Sequence, residues 1–229
     1  MTAVPTPVRR ATAAAGLICF AAMATAVTSN ATAGADDRTA ARTDATAGPS
    51  VVRTGGRTTV LAGRRAWVHG ELRPATRGRV VLQRRGERGW TTVARTTTAL
   101  RGRFRIAFRP PRPGSSRLRL IVRGADGRAM ARRGAGRLTV FRRAQASWYG
   151  PGLFGNRLGC GGTLAPGTLG VAHRTLPCGT RVTLRHHGRM VRVPVVDRGP
   201  YAGNREFDLT AATRARLGFS GTGAVLVDR

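Results

Sequence analysis

Val191-Arg192-Val193-Pro194-Val195-Val196-Asp197-Arg198-Gly199-Pro200-Tyr201 is the stretch whose reading decides the fold. Val191, Val193 and Val195 alternate with Arg192, Pro194 and Val196, the period of a strand with one buried face. Pro194 has no N–H to give a ladder, so it must stand at an edge or a bulge. The strand runs into Asp197-Arg198 and then Gly199-Pro200, two turn formers. Just upstream, Val182 and Leu184 alternate with Arg181, Thr183 and Arg185, and Gly188 between His187 and Arg189 predicts a hairpin. His186 and His187 belong to that hairpin tip; neighbours on a strand face opposite ways, so they do not form a metal pair. Downstream, Thr210 is a suitable N-cap for a short helix over 211–217, with Gly218 as its stop. Short strands, dense Gly and Pro and one small helix predict a small β-barrel.

Residues 51–141 have a different texture. Phe104, Ile106 and Phe108 alternate with Arg103, Arg105 and Arg109, and Leu118, Leu120 and Val122 repeat the pattern. Trp67-Val68 and the runs 80–82, 90–93 and 138–141 supply further strands. Gly86-Glu87-Arg88-Gly89 and Ala125-Asp126-Gly127 mark turns. About seven short strands with frequent turns predict a β-sandwich. The stretch 80–110, with its Gly-Trp-Thr-Thr-Val-Ala and Gly-Arg-Phe segments, resembles immunoglobulin-like or fibronectin-like modules of secreted bacterial proteins, a likeness of fold that carries no activity. The loop 110–114 lies between strands, and the boundary to the next domain is expected at 142–145.

Four islands punctuate the rest. They are Ala146-Ser147-Trp148-Tyr149-Gly150, Val171-Ala172-His173-Arg174-Thr175-Leu176-Pro177-Cys178-Gly179-Thr180, the 195–201 stretch, and Glu206-Phe207-Asp208-Leu209-Thr210. In this order and spacing they resemble the rare lipoprotein A (RlpA) family over 146–227. The resemblance implies a six-stranded double-psi β-barrel, a fold shared with expansins and with the membrane-bound lytic transglycosylase A type. It also implies action on peptidoglycan, whose glycan strands some members cleave as lytic transglycosylases. The fold class expected for the whole chain is all-β. A signal peptide (1–33) and a flexible spacer (34–49) precede an immunoglobulin-like sandwich (50–142) and a double-psi barrel (145–229).

His173, Asp197 and Asp208 match family positions, and the resemblance makes them the catalytic candidates. Asp208 corresponds to the Asp at the floor of the glycan groove in the related folds. Trp148, Tyr149 and Tyr201 are aromatic faces on which sugars can stack, and Arg198 and Glu206 are further substrate contacts. Family members with transglycosylase activity carry a Gly-Glu pair shortly before the His island; the aligned pair here is Gly161-Gly162, so that Glu is absent. The 160–162 segment looks like the cysteine-containing variant, in which this loop is pinned to the Leu-Pro-Cys-Gly loop. Each candidate also has a structural reading: His173 as a hydrogen-bonding histidine, Asp197 as a loop-closing or Arg-paired carboxylate, Asp208 as a helix N-terminal charge and Trp148 as core.

Scarcity of acids narrows the chemistry. The chain has 40 cations against 10 Asp and Glu. In the C-terminal domain only Asp197, Glu206, Asp208 and Asp228 are carboxylates. Hydrolysis of a glycosidic bond ordinarily uses two, and Glu206 and Asp208 would project from one strand face roughly 6–7 Å apart, a loose fit. A lytic transglycosylase needs less. The C6 hydroxyl of muramic acid attacks, and one carboxyl of raised pKa serves first as acid and then as base. Asp208 or Asp197 can supply it. An expansin-like, non-catalytic wall-loosening module and a purely structural wall protein stand beside this reading. No cofactor or metal is expected.

Arg9-Arg10, the apolar stretch 11–27 and Ala31-Thr32-Ala33 form a secretory signal. Cys19 lies inside it and is expected to be discarded, leaving Cys160 and Cys178, an even pair that in an exported chain reads as one disulfide. No apolar run is long enough for a mature membrane span. The net charge of +30 is carried by Arg alone, without a single Lys. Export and the alternation of Arg with apolar strand positions argue against nucleic acid as the partner. Arg binds phosphate and carboxylate well through its planar fork, so retention among anionic wall polymers is expected. A codon bias of a GC-rich genome toward Arg and Ala fits the missing Lys equally. The expected partners are peptidoglycan glycan strands and anionic wall polymers, with the protein monomeric, free of the membrane and placed at the cell wall.

Overall fold

The computed structural model describes residues 48–229. The expected signal segment, with Cys19, and the spacer up to residue 47 lie outside the described residues. Among the described residues no helix is long and apolar enough to cross a membrane.

The first half is built from β1 (Ser50–Arg57), β2 (Thr59–Leu61), β3 (Ala66–Arg73), β4 (Arg79–Gly86), β5 (Gly89–Thr97), β6 (Arg103–Phe108), β7 (Gly114–Arg123) and β8 (Ala129–Tyr149). Strands β1, β3 and β6 form one sheet, while β8, β7, β4 and β5 follow one another in a second, with β2 parallel to β8. The alternation read in the sequence decides which side chains meet. Phe104 and Ile106 from one sheet and Leu82, Leu118, Leu120 and Val122 from the other share one buried cluster. The arginines between them are left to solvent, as the pleat requires.

The second half is a closed ring. It uses the C-terminal part of β8 with β9 (Val171–Ala172), β10 (Arg181–His186), β11 (Arg189–Asp197), β12 (Phe207–Thr210) and β13 (Gly223–Val227). The order is β12-β9-β11-β10-β13-β8, and β12 closes the ring by pairing in parallel with β8. Closure leaves no open edge in these six strands. Val182, Leu184, Val193, Val195, Phe207 and Leu209 fill the interior, each at most 1% exposed. Each such burial contributes about 1.5–3 kcal/mol relative to exposure.

Local signals explain the turns. Arg189 pairs with His186 across the hairpin tip, and His187 and Gly188 both hold positive φ, 42° and 84°. A two-residue turn with two positive φ values matches the twist of the strands and favours Gly at the second position. Val195 N–H donates to Thr180 O, so the nitrogen of Pro194 faces the other side of β11, where β9 reaches only as far as Val195. Pro194 thus occupies a local edge of an otherwise interior strand. Helix α1 (Ala211–Leu217) starts at Thr210, whose hydroxyl accepts from Thr213 N–H, and stops at Gly218.

No loop separates the halves at 142–145. Strand β8 runs through without a break, pairing first with β7 and β2 and then with β13 and β12. Asp228 adds a polar link. Its carboxylate is 1% exposed and accepts from Ser115 Oγ on β7 and from Thr183 N–H on β10, both at 2.7 Å.

Candidate functional site

Strand β12 organises the site. Phe207 and Leu209 point into the barrel, so Glu206 and Asp208 fall on the opposite side. Register then gives each its own surroundings. Asp208 lies across from Ser147 of β8 and Ala172 of β9. Its Oδ1 accepts from Ser147 Oγ at 2.8 Å, and Ser147 Oγ in turn accepts from Arg205 Nη1 at 3.0 Å. Ser147 is only 4% exposed. Burial pushes the Asp208 carboxyl above the usual aspartate range and Asp197 adds to this, against the Ser147 hydrogen bond and the Arg205 charge.

Asp197 ends β11 and holds the loops. Its Oδ1 accepts from Gly159 N–H at 2.7 Å and from Arg198 N–H at 2.8 Å. Between Asp197 and Asp208 stands Tyr149, whose hydroxyl oxygen is buried with no hydrogen-bond partner among the described residues. Burial first, then the fields of Asp197 and Asp208, push its ionisation far up, so it stays a neutral phenol. Two carboxyls and one neutral phenol therefore stand close together, with Asp197 the nearest carboxylate to the phenol.

Glu206 and His173 make a second cluster. Arg142 clasps Glu206 with both nitrogens, Nη1 to Oε2 at 2.8 Å and Nη2 to Oε1. That clasp holds the Glu206 carboxyl below its usual range, against some desolvation. His173 is 9% exposed, with its ring centroid 4.8 Å from that of Phe207. Its Nδ1 accepts from Thr175 N–H at 3.1 Å and Leu176 N–H at 3.0 Å. The neutral ring therefore carries its proton on Nε2, which is 3.8 Å from Glu206 Oε1. Burial lowers the His173 pKa despite the nearby carboxylate. The polar neighbours of His173 are thus Glu206, Arg142 and its own loop with Arg174, and those of Asp208 are Ser147, Arg205, Asp197 and Tyr149.

The remaining candidates sort by position. Arg198 Nη1 donates to the carbonyls of His173 at 3.1 Å and Leu176 at 2.8 Å, and Nη2 lies 2.9 Å from Cys178 Sγ. It ties the 173–178 loop together. Cys160 and Cys178 are joined in a disulfide. Trp148 is half-buried against the barrel core with the Arg214 guanidinium 4.1 Å over its ring. Tyr201 is 77% exposed, an open aromatic face on the 198–206 loop. Gly161 and Gly162 have φ of 91° and 80°, a backbone that a Glu side chain would adopt only with strain. The loop is therefore shaped without a carboxylate. Among the described residues no three His, Cys, Asp or Glu side chains gather as a metal site.

Sequence reasoning missed Ser147, Arg205 and Arg142. Ser147 sits inside a quoted island, and the parallel register of β8 with β12 is what sets it against Asp208. Arg142 and Arg205 carry no signal that separates them from the chain's other arginines.

Residues 142–228 match the protein family described as lytic transglycolase. Among curated proteins, the probable endolytic peptidoglycan transglycosylase RlpA of Synechocystis is 45% identical over 87 residues, 36% of this chain and 27% of that protein. The endolytic peptidoglycan transglycosylase RlpA of Campylobacter jejuni is 42% identical over 87 residues, covering 36% and 32%. The chain thus spans about a third or less of these two relatives. Among solved structures, the Streptomyces papain inhibitor aligns with a TM-score of 0.32 at 23% identity, over 38% of this chain and 92% of that one. With the family match, the identity over the ring and the closure of β8 to β13 taken together, the C-terminal domain of this chain is an RlpA-like double-psi β-barrel.

Proposed function

We propose that this is an exported cell-wall protein whose barrel binds and remodels peptidoglycan, cleaving glycan strands as a lytic transglycosylase with Asp208 as its single acid and base. The observation that carries this reading is the environment of Asp208. It is half-buried, raised in pKa, hydrogen-bonded through Ser147 and placed beside Asp197 and Tyr149. Such a carboxyl holds a proton at a pH where Glu206, clasped by Arg142, does not. Asp208 gives its proton to the glycosidic oxygen as the C1–O bond breaks. The muramic acid O6 forms a new bond to C1 and its proton passes to the Asp208 carboxylate, restoring the acid. No water is activated, so no second carboxyl is required. Tyr149 can donate to a sugar oxygen without ionising, Tyr201 offers a stacking face, and His173 with Arg198 holds the loop that walls the site. The names of the curated relatives support peptidoglycan as the substrate class.

In the same proposal the two-sheet unit (50–142) is an immunoglobulin-like spacer or adhesion module, joined to the barrel (145–229). The arginine-rich faces retain the protein among anionic wall polymers.

One observation favours a non-catalytic, expansin-like reading: the glycine-shaped 161–162 loop brings no carboxylate to the groove. Incubation of the purified protein with peptidoglycan sacculi separates the two. Mass spectrometry showing 1,6-anhydromuramoyl products that vanish in Asp208→Asn establishes the enzyme. Co-sedimentation without products establishes the binder, and failure to sediment removes the wall reading.

A further inference from the structure

A cleft of about 520 Å³ opens between the two halves of the described chain, and five arginines line it: Arg57, Arg64, Arg65, Arg109 and Arg185. No carboxylate lines it. The five come from separate places, namely the end of β1, the 62–65 turn, the residue after β6, and β10 in the barrel. Their backbones are fixed. Ala62 N–H donates to Phe141 O and Gly63 N–H to Pro110 O, both at 2.8 Å, and Arg64 N–H donates to Leu61 O at 3.0 Å. Arg185 is paired on both sides, with Met190 and with Leu226. Beneath them the floor is apolar, with Val60 3% and Phe141 1% exposed. The ion pairs formed among the described residues use other arginines, Arg73, Arg128, Arg142 and Arg229.

Five like charges gathered around one concavity repel one another. An anion in the cleft relieves it. Guanidinium groups only donate, and their forks fit the oxygens of phosphate two at a time. The number of cations and the volume call for several closely spaced negative charges rather than one. We propose that this cleft is a binding site for a chain of closely spaced phosphate groups, either a free oligophosphate or a phosphodiester-linked polyol. The bound anion bridges the sandwich arginines to Arg185 and so fastens the two halves together. This sharpens the general electrostatic retention proposed above into one site, and it does not depend on what the barrel does to glycan.

The test is calorimetric titration of the full chain with inorganic tripolyphosphate, and separately with a synthetic glycerol-phosphodiester oligomer, at 0.15 M salt. Saturable binding to at least one is expected; tripolyphosphate alone identifies a free oligophosphate, and the oligomer alone identifies the polymer. Arg65→Gln with Arg185→Gln is expected to weaken binding at least tenfold. Arg132→Gln with Arg133→Gln removes the same charge elsewhere, on β8, and is expected to change it less than twofold. Arg65→Lys with Arg185→Lys, which keeps the charge and loses the fork, falls between. Absence of saturable binding, or equal weakening by the two Gln pairs, overturns the site. A DNA duplex competing through Arg65 and Arg185 overturns the choice of ligand. Sacculus digestion measured on the same variants stays unchanged, so failure here and failure of the glycan reading are told apart.

Discussion

Glu206, immediately before β12, and Asp208 on it stand two residues apart, project to the same side, and have pKa values shifted in opposite directions. Arg142 clasps Glu206 and lowers its pKa; burial, with Asp197 adding to it and Ser147 and Arg205 opposing, raises that of Asp208. The residue types are near-equivalent, so the division of roles comes from what β8 places opposite each. At one end β8 brings a guanidinium, and at the other a hydroxyl that it buries. Carboxylates in short supply are thus separated into one lowered and one raised in pKa by what strand register sets opposite each.

The largest expected effect sharpens that contrast directly. Asp208→Asn is expected to lower anhydro-product formation by about 10²–10⁴-fold, the usual worth of a general acid–base group. Glu206→Gln is expected to lower it less than tenfold while reducing stability by about 1 kcal/mol, because the broken pair is half-exposed. Product analysis beside urea unfolding reads both. If Glu206→Gln silences the enzyme and Asp208→Asn does not, the assignment is reversed.

The Asp208 side of the site also leans on the disulfide. The 18-residue separation of Cys160 and Cys178 closes a loop, and the neighbouring Gly159 N–H holds Asp197. Replacing both cysteines by Ser is expected to cost about 3 kcal/mol in denaturant unfolding, from restored freedom of the unfolded chain. Thr210 comes next in size. Its hydroxyl is fully buried, caps α1 and bonds Gly170 O at 3.1 Å. Thr210→Ala is expected to cost about 1–2 kcal/mol, which the same measurement shows.

What could be read in advance follows the same line. Alternation in 182–195 and 104–122 identified the strands and their buried faces, because a pleat has period two wherever one side is covered. Thr210, Gly218 and Gly188 identified a helix start, a helix stop and a turn, because each is a local choice of one residue. The clasp of Arg142 on Glu206 was invisible: the two are 64 residues apart, and Arg142 is one of 40 arginines. The change of texture at 142–145 is real in composition, yet the backbone does not break there. Leu138, Val140, Ala144 and Ala146 keep the period of a strand while the core they face changes from one half to the other. Only the fold shows the carbonyls of His173 and Leu176 within reach of Arg198.

The smallest effect concerns the Glu206 side and acts through pH. Burial lowers the pKa of His173 below its ordinary 6.5, so the folded chain takes up its proton less readily than the unfolded one. As pH falls through 6.5 the unfolded chain binds that proton first, so stability declines until pH drops below the folded pKa, where the loss levels off. Glu206, with its pKa lowered below 4.5, begins to lose its own contribution only as pH falls below 4.5, on the acid side of where the His173 loss begins. His173→Asn keeps an acceptor for the Thr175 and Leu176 N–H groups and removes the titration. Its thermal midpoint is expected to decline less between pH 6.5 and 5 than the parent's; the decline that remains belongs to His186, whose pKa burial also lowers. A parent midpoint that declines less over this interval than that of His173→Asn would mean that His173 gains a proton on folding. Glu206 would then be its ion-pair partner rather than that of Arg142 alone, and the contrast between the two carboxylates would lose its structural half.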